Sequence, residues 1–397
     1  MINKNPEKIK EVLERGVEQV IQKDNLIKQL KSGRKLIIKH GIDPTSPSIH
    51  LGNAIPLQKL RQFQQLGHQI VLIIGDFTAQ IGDTSDKTAK RQLLTKEQVI
   101  ENTKDYKKQI GKILDPQKTK FTYNGSWLSL LSFSDVLKLA SEFTVAQMIE
   151  RENFSERYKN KKPISLQEFL YPLMQGYDSV AIKADLEIGG TDQTFNMLAG
   201  RIIQQAYGQD PQNIITLTLI EGTDGQKMSK SLDNVINITD NPNEMFGKIM
   251  SMDDNLIIKY FTLCTQVPIE EVKKIEKNLN KDNLNPRDVK AKLAQEIVSI
   301  YYGKKIAELA EKEFNKVFKE KGLPSKITEI KIHQKSINLL DLLLKTKLAS
   351  SKSEAKRLIL QGGVKIDGQK EINWRKTVEI KKGIIIQAGK RNFRKIS

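Results

Sequence analysis

A single cysteine, Cys264, stands among 397 residues, so no disulfide can form within the chain and a reducing cytoplasm is the expected setting. Long apolar runs are also missing. The longest candidates, such as Ile70–Ile74, are strand-sized and far too short to cross a bilayer, so no membrane partner is expected. The N-terminal MINKNPEKIKEVLERG mixes charge with apolar residues at helical spacing and holds no continuous apolar signal core. Histidine is scarce, and His40, His50, His68 and His333 are too scattered to suggest zinc; no protein metal ligands are expected. No internal repeat is visible. The remainder, 38% hydrophobic and 28% charged, describes a globular chain long enough for two or three domains.

Positive charge is abundant and uneven. The net charge is +18, and residues 331–397 carry 17 Lys/Arg against 5 Asp/Glu. Two-thirds of the excess therefore lies in the last sixth of the chain. A polyanionic partner contacted mainly by the C-terminal segment explains this most simply. A basic tail serving solubility alone is the blander reading, but this tail is patterned rather than low in complexity.

Along the chain, Leu36–Lys39 reads as a buried strand followed by the turn-rich His40-Gly-Ile-Asp-Pro-Thr-Ser-Pro47. Ser48 is expected to cap a helix running to about Leu66, ended by Gly67, and Gln69–Ile74 forms the next strand. This strand, helix and strand make a right-handed crossover with parallel strands. Further strands are expected at Phe121–Tyr123, Ala184–Ile188 and Ile214–Leu219, giving a doubly wound α/β domain. Asn285-Pro-Arg-Asp288 starts a helix, with Asn as cap, Pro in the first turn and Asp complementing the dipole. The last segment reads as helices at Leu339–Thr346 and Ser350–Leu360, then strands Val364–Ile366, Thr377–Ile380 and Ile384–Gln387.

Two stretches carry the chemistry. Lys227-Met-Ser-Lys-Ser231 places two lysines three apart among small hydroxyl residues, in a loop bounded by Gly222, Gly225 and Asp233-Asn234. That composition suits a clamp on a triphosphate. Upstream, Pro47-Ser-Ile-His-Leu-Gly-Asn53 lies where a loop enters a helix, a place with exposed backbone donors and a dipole favourable to phosphate. Either motif alone is often an ordinary loop or helix start; in this order they point to nucleotide chemistry at the switch point of an α/β sheet.

These motifs, with Gly41-Ile-Asp-Pro-Thr45, Ile81-Gly-Asp83, Tyr171-Pro-Leu-Met-Gln-Gly-Tyr-Asp178 and Gly189-Gly-Thr-Asp-Gln193, resemble bacterial tyrosyl-tRNA synthetases over nearly the whole chain. The similarity is to the subgroup with a Lys-Met-Ser-Lys-Ser loop. Leu348–Ile359 followed by Gly363-Val-Lys-Ile-Asp-Gly368 resembles an S4-type RNA-binding domain. The resemblance implies a Rossmann-like catalytic domain at 1–222 with a helical insertion at about 128–165, and the clamp loop and linker at 223–240. An α-helical anticodon-side domain at 241–328 and a small α+β S4-type domain at 336–397 complete it. It further implies activation of L-tyrosine by ATP, accompanied by Mg2+, transfer to tRNA(Tyr), and a homodimer formed near 128–160. In-line displacement at phosphorus needs positioning and charge stabilisation rather than a protein nucleophile.

The same resemblance assigns roles. Thr45, His50 and Asn53 are expected at the phosphates, with Lys227 and Lys230 opposite and Lys87 and Arg91 as a second set of pyrophosphate contacts. Gly41, Asp43, Gly52, Gly190, Asp192, Met228 and Ser229 are expected to line the ATP and adenylate site, Asp192 accepting from the ribose. Tyr171, Gln175 and Asp178 share one face of a helix by their spacing. Asp83, Tyr171 and Gln175 are expected to hold the α-ammonium of tyrosine, with Gln193 bordering the pocket and Asp178 meeting the phenol. A buried partner left unpaired by phenylalanine is how hydroxyl-bearing substrates are selected, this enzyme class being the established example. Lys39 stands where many relatives carry a tyrosine that touches the substrate hydroxyl, so it is grouped with the tyrosine-binding residues. Lys352, Lys356 and Arg357 are expected to track RNA phosphates. Asn53 replaces the second histidine of the usual motif, and Thr84 and Asp86 replace the usual Pro and Gly near Lys87. Competing readings are a tryptophanyl-tRNA synthetase, disfavoured by Asp178 and the S4-like tail, and an RNA-binding protein that has lost catalysis.

Overall fold

The computed structural model describes residues 2–83, 94–228, 232, 234–319, 323, 327–389 and 392–397. The chain divides into two compact units, Met1–Ala307 and Glu308–Ser397. The segment 241–307, read from sequence as part of a separate helical domain, thus packs within the same unit as the sheet. Among the described residues no helix is long and apolar enough to cross a membrane.

The first unit is built on six strands: β1 (Val17–Ile21), β2 (Ile37–Ile42), β3 (Gln69–Ile74), β4 (Thr119–Tyr123), β5 (Leu186–Gly190) and β6 (Asn213–Leu217). Their order is β1-β6-β5-β2-β3-β4, with β1 antiparallel to β6 and the other pairs parallel. The buried run Ile70–Ile74 is what a parallel strand covered on both faces requires. Because β2 is followed outward by β3 and β4 on one side and flanked by β5 on the other, the strand order reverses there. Ligand crevices form outside the carboxyl ends of such strands. Those ends deliver Asp43 after β2 and Gly190-Thr191-Asp192 after β5.

The helix after β2 spans Leu51–Gln65, and its cap differs from expectation. His50, not Ser48, sits at the cap in extended conformation, its Nδ1 accepting from Asn53 N at 3.4 Å. Ser48 instead continues the loop, and its carbonyl accepts from Ser46 Oγ at 3.0 Å. The Asn285 cap holds: its side chain accepts from Arg287 N at 2.9 Å, and the helix Pro286–Tyr302 ends at Gly303 with φ +84°.

In the second unit, β7 (Thr328–Ile330), β9 (Val364–Ile366), β10 (Gln369–Glu371), β12 (Ile385–Ala388) and β13 (Asn392–Ile396) form a sheet in the order β10-β9-β12-β13-β7. The strands β8 (Ser336–Asn338) and β11 (Thr377–Glu379) form a separate ribbon. Helices Leu339–Lys345 and Lys352–Leu360 pack on a core that includes Leu342, Leu343, Ile359, Val364 and Ile386. This is the small α+β module that the sequence pattern implied.

Candidate active site

The loop from Asp43 to His50 is held by side chains from the segment 102–109. Asn102 Nδ2 donates to Pro44 O at 2.7 Å, Tyr106 Oη to Ser46 O at 2.6 Å, and Gln109 Nε2 to Pro47 O at 2.7 Å. Gln109 Oε1 also accepts from Ile49 N at 2.9 Å. Burial pushes the Tyr106 phenol up to about 12, which keeps it a donor. Thr45 and His50 therefore sit on a turn whose carbonyls face away, toward these donors. The sequence reading missed all three, although 102, 106 and 109 share a helical face by spacing.

The second motif lies against the first. A β-carbon on Gly52 would sit 3.3 Å from Met228 Sδ and 3.1 Å from the His50 ring, so the helix start and the clamp loop are in van der Waals range. Residues 221–228 are tied down locally: Gly222 N donates to Gln226 O at 2.7 Å, and Asn234 Nδ2 to Lys227 O at 3.0 Å. The backbone of Lys227 forms an isolated antiparallel β-bridge with that of Glu221, and its side-chain charge acts on Asp192. Burial raises the Asp192 pKa, with Lys227 among the groups opposing the rise. Lys87, Arg91, Ser229 and Lys230, and the departures Thr84 and Asp86, lie outside the described residues.

Between the motifs and the pocket helix Leu166–Ile182 runs a connected set of polar bonds. Asp43 accepts from Thr78 Oγ1 at 2.7 Å and from Tyr171 Oη at 2.8 Å. Gly75 makes room for this carboxylate, since a β-carbon there would lie 1.9 Å from Asp43 Oδ1. Tyr171 is raised well above the usual phenol range, first by burial and then by Asp43 and Asp83. Asp178 accepts from Trp127 Nε1 at 2.7 Å and from Asn124 Nδ2 at 3.3 Å. Burial pushes its carboxyl up to about 7, against the opposing charge of Lys39. Asp83 accepts from Gln193 Nε2 at 2.7 Å and faces Arg151 at 3.4 Å.

Gln175, one helical turn before Asp178, donates through Nε2 to Glu187 Oε1 at 3.0 Å. Its Oε1 accepts from Asn196 Nδ2 at 3.0 Å, and Asn196 Nδ2 also donates to Gln193 Oε1 at 3.0 Å. Lys39 is placed differently from expectation. Its side chain is fully buried, and its Nζ is engaged by Gln175 O at 2.7 Å, Ser179 Oγ at 2.8 Å and Glu187 Oε1 at 3.0 Å. An ammonium with all three hydrogens used and no exposed surface lies behind the pocket rather than lining it. Asn124, Trp127, Arg151, Glu187 and Asn196 were not read from sequence. For Asn124, Trp127, Arg151 and the Lys39–Glu187 pair the partners are distant in the chain, and the fold brings them together.

Gly190 lies close to Asp192, a β-carbon there being 2.4 Å from Asp192 Oδ1. Gly41 has open space where its β-carbon would be.

In the second unit, Ser351 caps the helix carrying Lys352, Lys356 and Arg357, all three exposed. Lys352 meets Asp341 at 2.8 Å, and Lys356 lies 4.5 Å from the Trp374 ring centre, a ring also approached by Arg375 at 4.7 Å.

Residues 31–319 match the family described as tRNA synthetases class I (W and Y). Residues 314–396 match the tyrosine–tRNA ligase SYY-like C-terminal domain. The tyrosine–tRNA ligase of Thermotoga maritima is 50% identical over 393 residues, covering 99% of this chain and 98% of that one. That of Carboxydothermus hydrogenoformans is 50% identical over 398 residues, covering 97% of each. Among solved structures, the C-terminally truncated mitochondrial tyrosyl-tRNA synthetase of Coccidioides posadasii superposes with a TM-score of 0.62 at 25% identity, over 77% of this chain and 91% of that one.

Proposed function

The chain belongs to the tyrosine–tRNA ligases of class I, and from that premise we propose that it activates L-tyrosine with ATP to tyrosyl-adenylate and pyrophosphate, then passes the tyrosyl group to the 3′ end of tRNA(Tyr). The observation that carries the site assignment is the meeting of Gly52 and Met228 beside His50, at the carboxyl end of β2. A triphosphate entering there would find backbone donors of the helix start on one side and Lys227 on the other, and Lys230 is assigned to the same role by its motif. Thr45, His50 and Asn53 are assigned to the phosphates, with Lys87 and Arg91 as further pyrophosphate contacts. ATP would arrive as its magnesium complex, as substrate rather than as a resident cofactor. The adenosine part would lie along Gly41, Gly52 and Gly190, with Asp43, Met228 and Ser229 at its border and Asp192 toward the ribose.

Tyrosine would place its ammonium among Asp83, Tyr171, Gln175 and Gln193, and its phenol at Asp178. The carboxylate then attacks the α-phosphate of ATP, and pyrophosphate leaves toward the lysines. Stabilising charge on the departing group is where such residues act, each typically worth about 3–4 kcal/mol of barrier. For the second step, Lys352, Lys356 and Arg357 are assigned to tRNA phosphates. A homodimer is proposed through the helical segment around 128–160, where Leu130 and Phe133 are each about four-fifths exposed. The place of action would be the cytoplasm.

Amino-acid-dependent ATP–pyrophosphate exchange tests this directly. Tyrosine should support exchange, and tryptophan and phenylalanine should not. Exchange driven best by tryptophan would overturn the specificity, and robust RNA binding without exchange would favour a chain that has lost catalysis.

A further inference from the structure

Lys39 and Glu187 face each other across the parallel pairing of β2 and β5, in register. Both side chains are buried, at 0% and 2% exposure. Taking two charges out of water is costly, and an apolar pair of similar volume would be as stable or more so. The pair therefore asks for a role beyond holding two strands together.

Its bonds run toward both ends of the pocket. Lys39 Nζ grips the pocket helix at Gln175 O and Ser179 Oγ, the two positions that bracket Asp178. Glu187 can only accept. It takes Gln175 Nε2 on one oxygen and Gln212 Nε2, at 2.5 Å, on the other. With Nε2 turned to Glu187, the Gln175 amide presents Oε1 on its other side. Oε1 takes Asn196 Nδ2, Asn196 Nδ2 also supplies Gln193 Oε1, and Gln193 Nε2 is left to donate to Asp83. The three amides thus run in one direction from Glu187, which accepts from Gln175, to Asp83, which accepts from Gln193 at the far end. An ammonium substrate needs acceptors, and this direction turns the Gln175 oxygen away from Glu187.

We propose that the buried Lys39–Glu187 ion pair is the positioning element of the amino-acid pocket: Glu187 sets the direction of the Gln175–Asn196–Gln193 amide chain that ends at Asp83, and Lys39 fixes the stretch of helix that presents Asp178. One pair then orders the ammonium and phenol ends together. Neither residue touches the substrate. This inference rests on the assignment of tyrosine to this pocket.

The decisive variant is the neutral double replacement Lys39→Met with Glu187→Gln, which leaves no lone buried charge. A glutamine at 187 carries its own N–H donors, so the direction of the Gln175 amide is no longer dictated. Measured by tyrosine-dependent exchange, the KM for tyrosine should rise by about tenfold or more while the KM for ATP holds within about twofold. The preference for tyrosine over phenylalanine should fall with it. A folded double variant, judged by its melting temperature, with wild-type tyrosine KM and unchanged preference would overturn the proposal. Should that variant not fold, Glu187→Asp keeps the charge and withdraws the carboxylate by one methylene from Gln175. Its tyrosine KM should rise severalfold, and an unchanged value would equally sink the idea. Failure of the wild-type chain itself to catalyse tyrosine-dependent exchange would overturn the pocket assignment instead, so the two failures are distinguishable.

Discussion

Asp178 gives the sharpest quantitative expectation. Its carboxyl is pushed up to about 7 because burial outweighs the help of Lys39, Trp127 and Asn124. From the ordinary value of 3.8 this is about 4 kcal/mol in favour of the neutral form in the folded protein. The sign follows. An acid whose folded pKa lies above its unfolded one contributes stability that is fully present below about pH 4 and lost as pH rises through about 7. Tyrosine binding runs the other way. A phenol donating to a carboxylate makes a charge-assisted bond worth about 1 kcal/mol more than a neutral one, a factor of about five, whereas phenylalanine leaves the ionised carboxylate without that donor. The preference for tyrosine over phenylalanine should therefore grow about three- to fivefold between pH 6 and pH 8. Burial lowers the His40 pKa from its ordinary value, toward the acid side of this range. The assay is exchange with each amino acid across that range, in wild type and in Asp178→Asn. The variant should lose the pH dependence. It should also bind tyrosine more weakly, because its amide N–H turns against either Trp127 Nε1 or Asn124 Nδ2. A flat wild-type profile, or the same slope in the variant, would refute the reasoning.

Four further outcomes are expected. Gly75→Ala drives a methyl group into Asp43 and Thr78 Oγ1, so the Asp43–Tyr171 bond should break and exchange should fall by about tenfold or more, read as kcat/KM for tyrosine. Arg15→Met removes the donors that meet Phe261 O, Thr262 O, Thr265 O and Val267 O around the end of the helix Ile257–Cys264; urea unfolding should show a loss of about 3–5 kcal/mol. Replacing Lys352, Lys356 and Arg357 by Gln should weaken tRNA binding and lower its log–log salt slope by about 2–3, leaving exchange intact. Leu130→Asp with Phe133→Asp places charges on the exposed apolar face, so sedimentation should show dimers of the wild type and monomers of the variant.

Much of the architecture was legible because it is local. β3 ends where the apolar run ends, and Asn285-Pro announces its helix without help from elsewhere. β5 lies two residues beyond its expected start at Ala184, because Lys183 takes the left-handed conformation that closes the preceding helix. β1 escaped notice: it is a half-exposed edge strand whose burial does not alternate. The three-residue strands β7, β8 and β10 carry too little periodicity to read. At the site, the motif residues were legible one by one, but their orientation was not. His50 took the capping role expected of Ser48, since it is the residue whose ring reaches Asn53 N. Lys39 is grouped with the substrate residues on a position where relatives carry a tyrosine, while its actual partner Glu187 lies 148 positions away and no local pattern joins them.

The pairing of Lys39 with Glu187 has one more consequence, for how the chain finds its fold. β2 and β5 are apolar, parallel and far apart in sequence, so hydrophobicity alone would tolerate several alignments between them. A slip of a single step would turn each side chain to the opposite face and bury two lone charges, a penalty of several kcal/mol per ion that no mispaired form could recover. The two halves of the nucleotide fold are keyed to each other by opposite charges at one rung, and the crevice at the strand tips inherits its alignment from that rung.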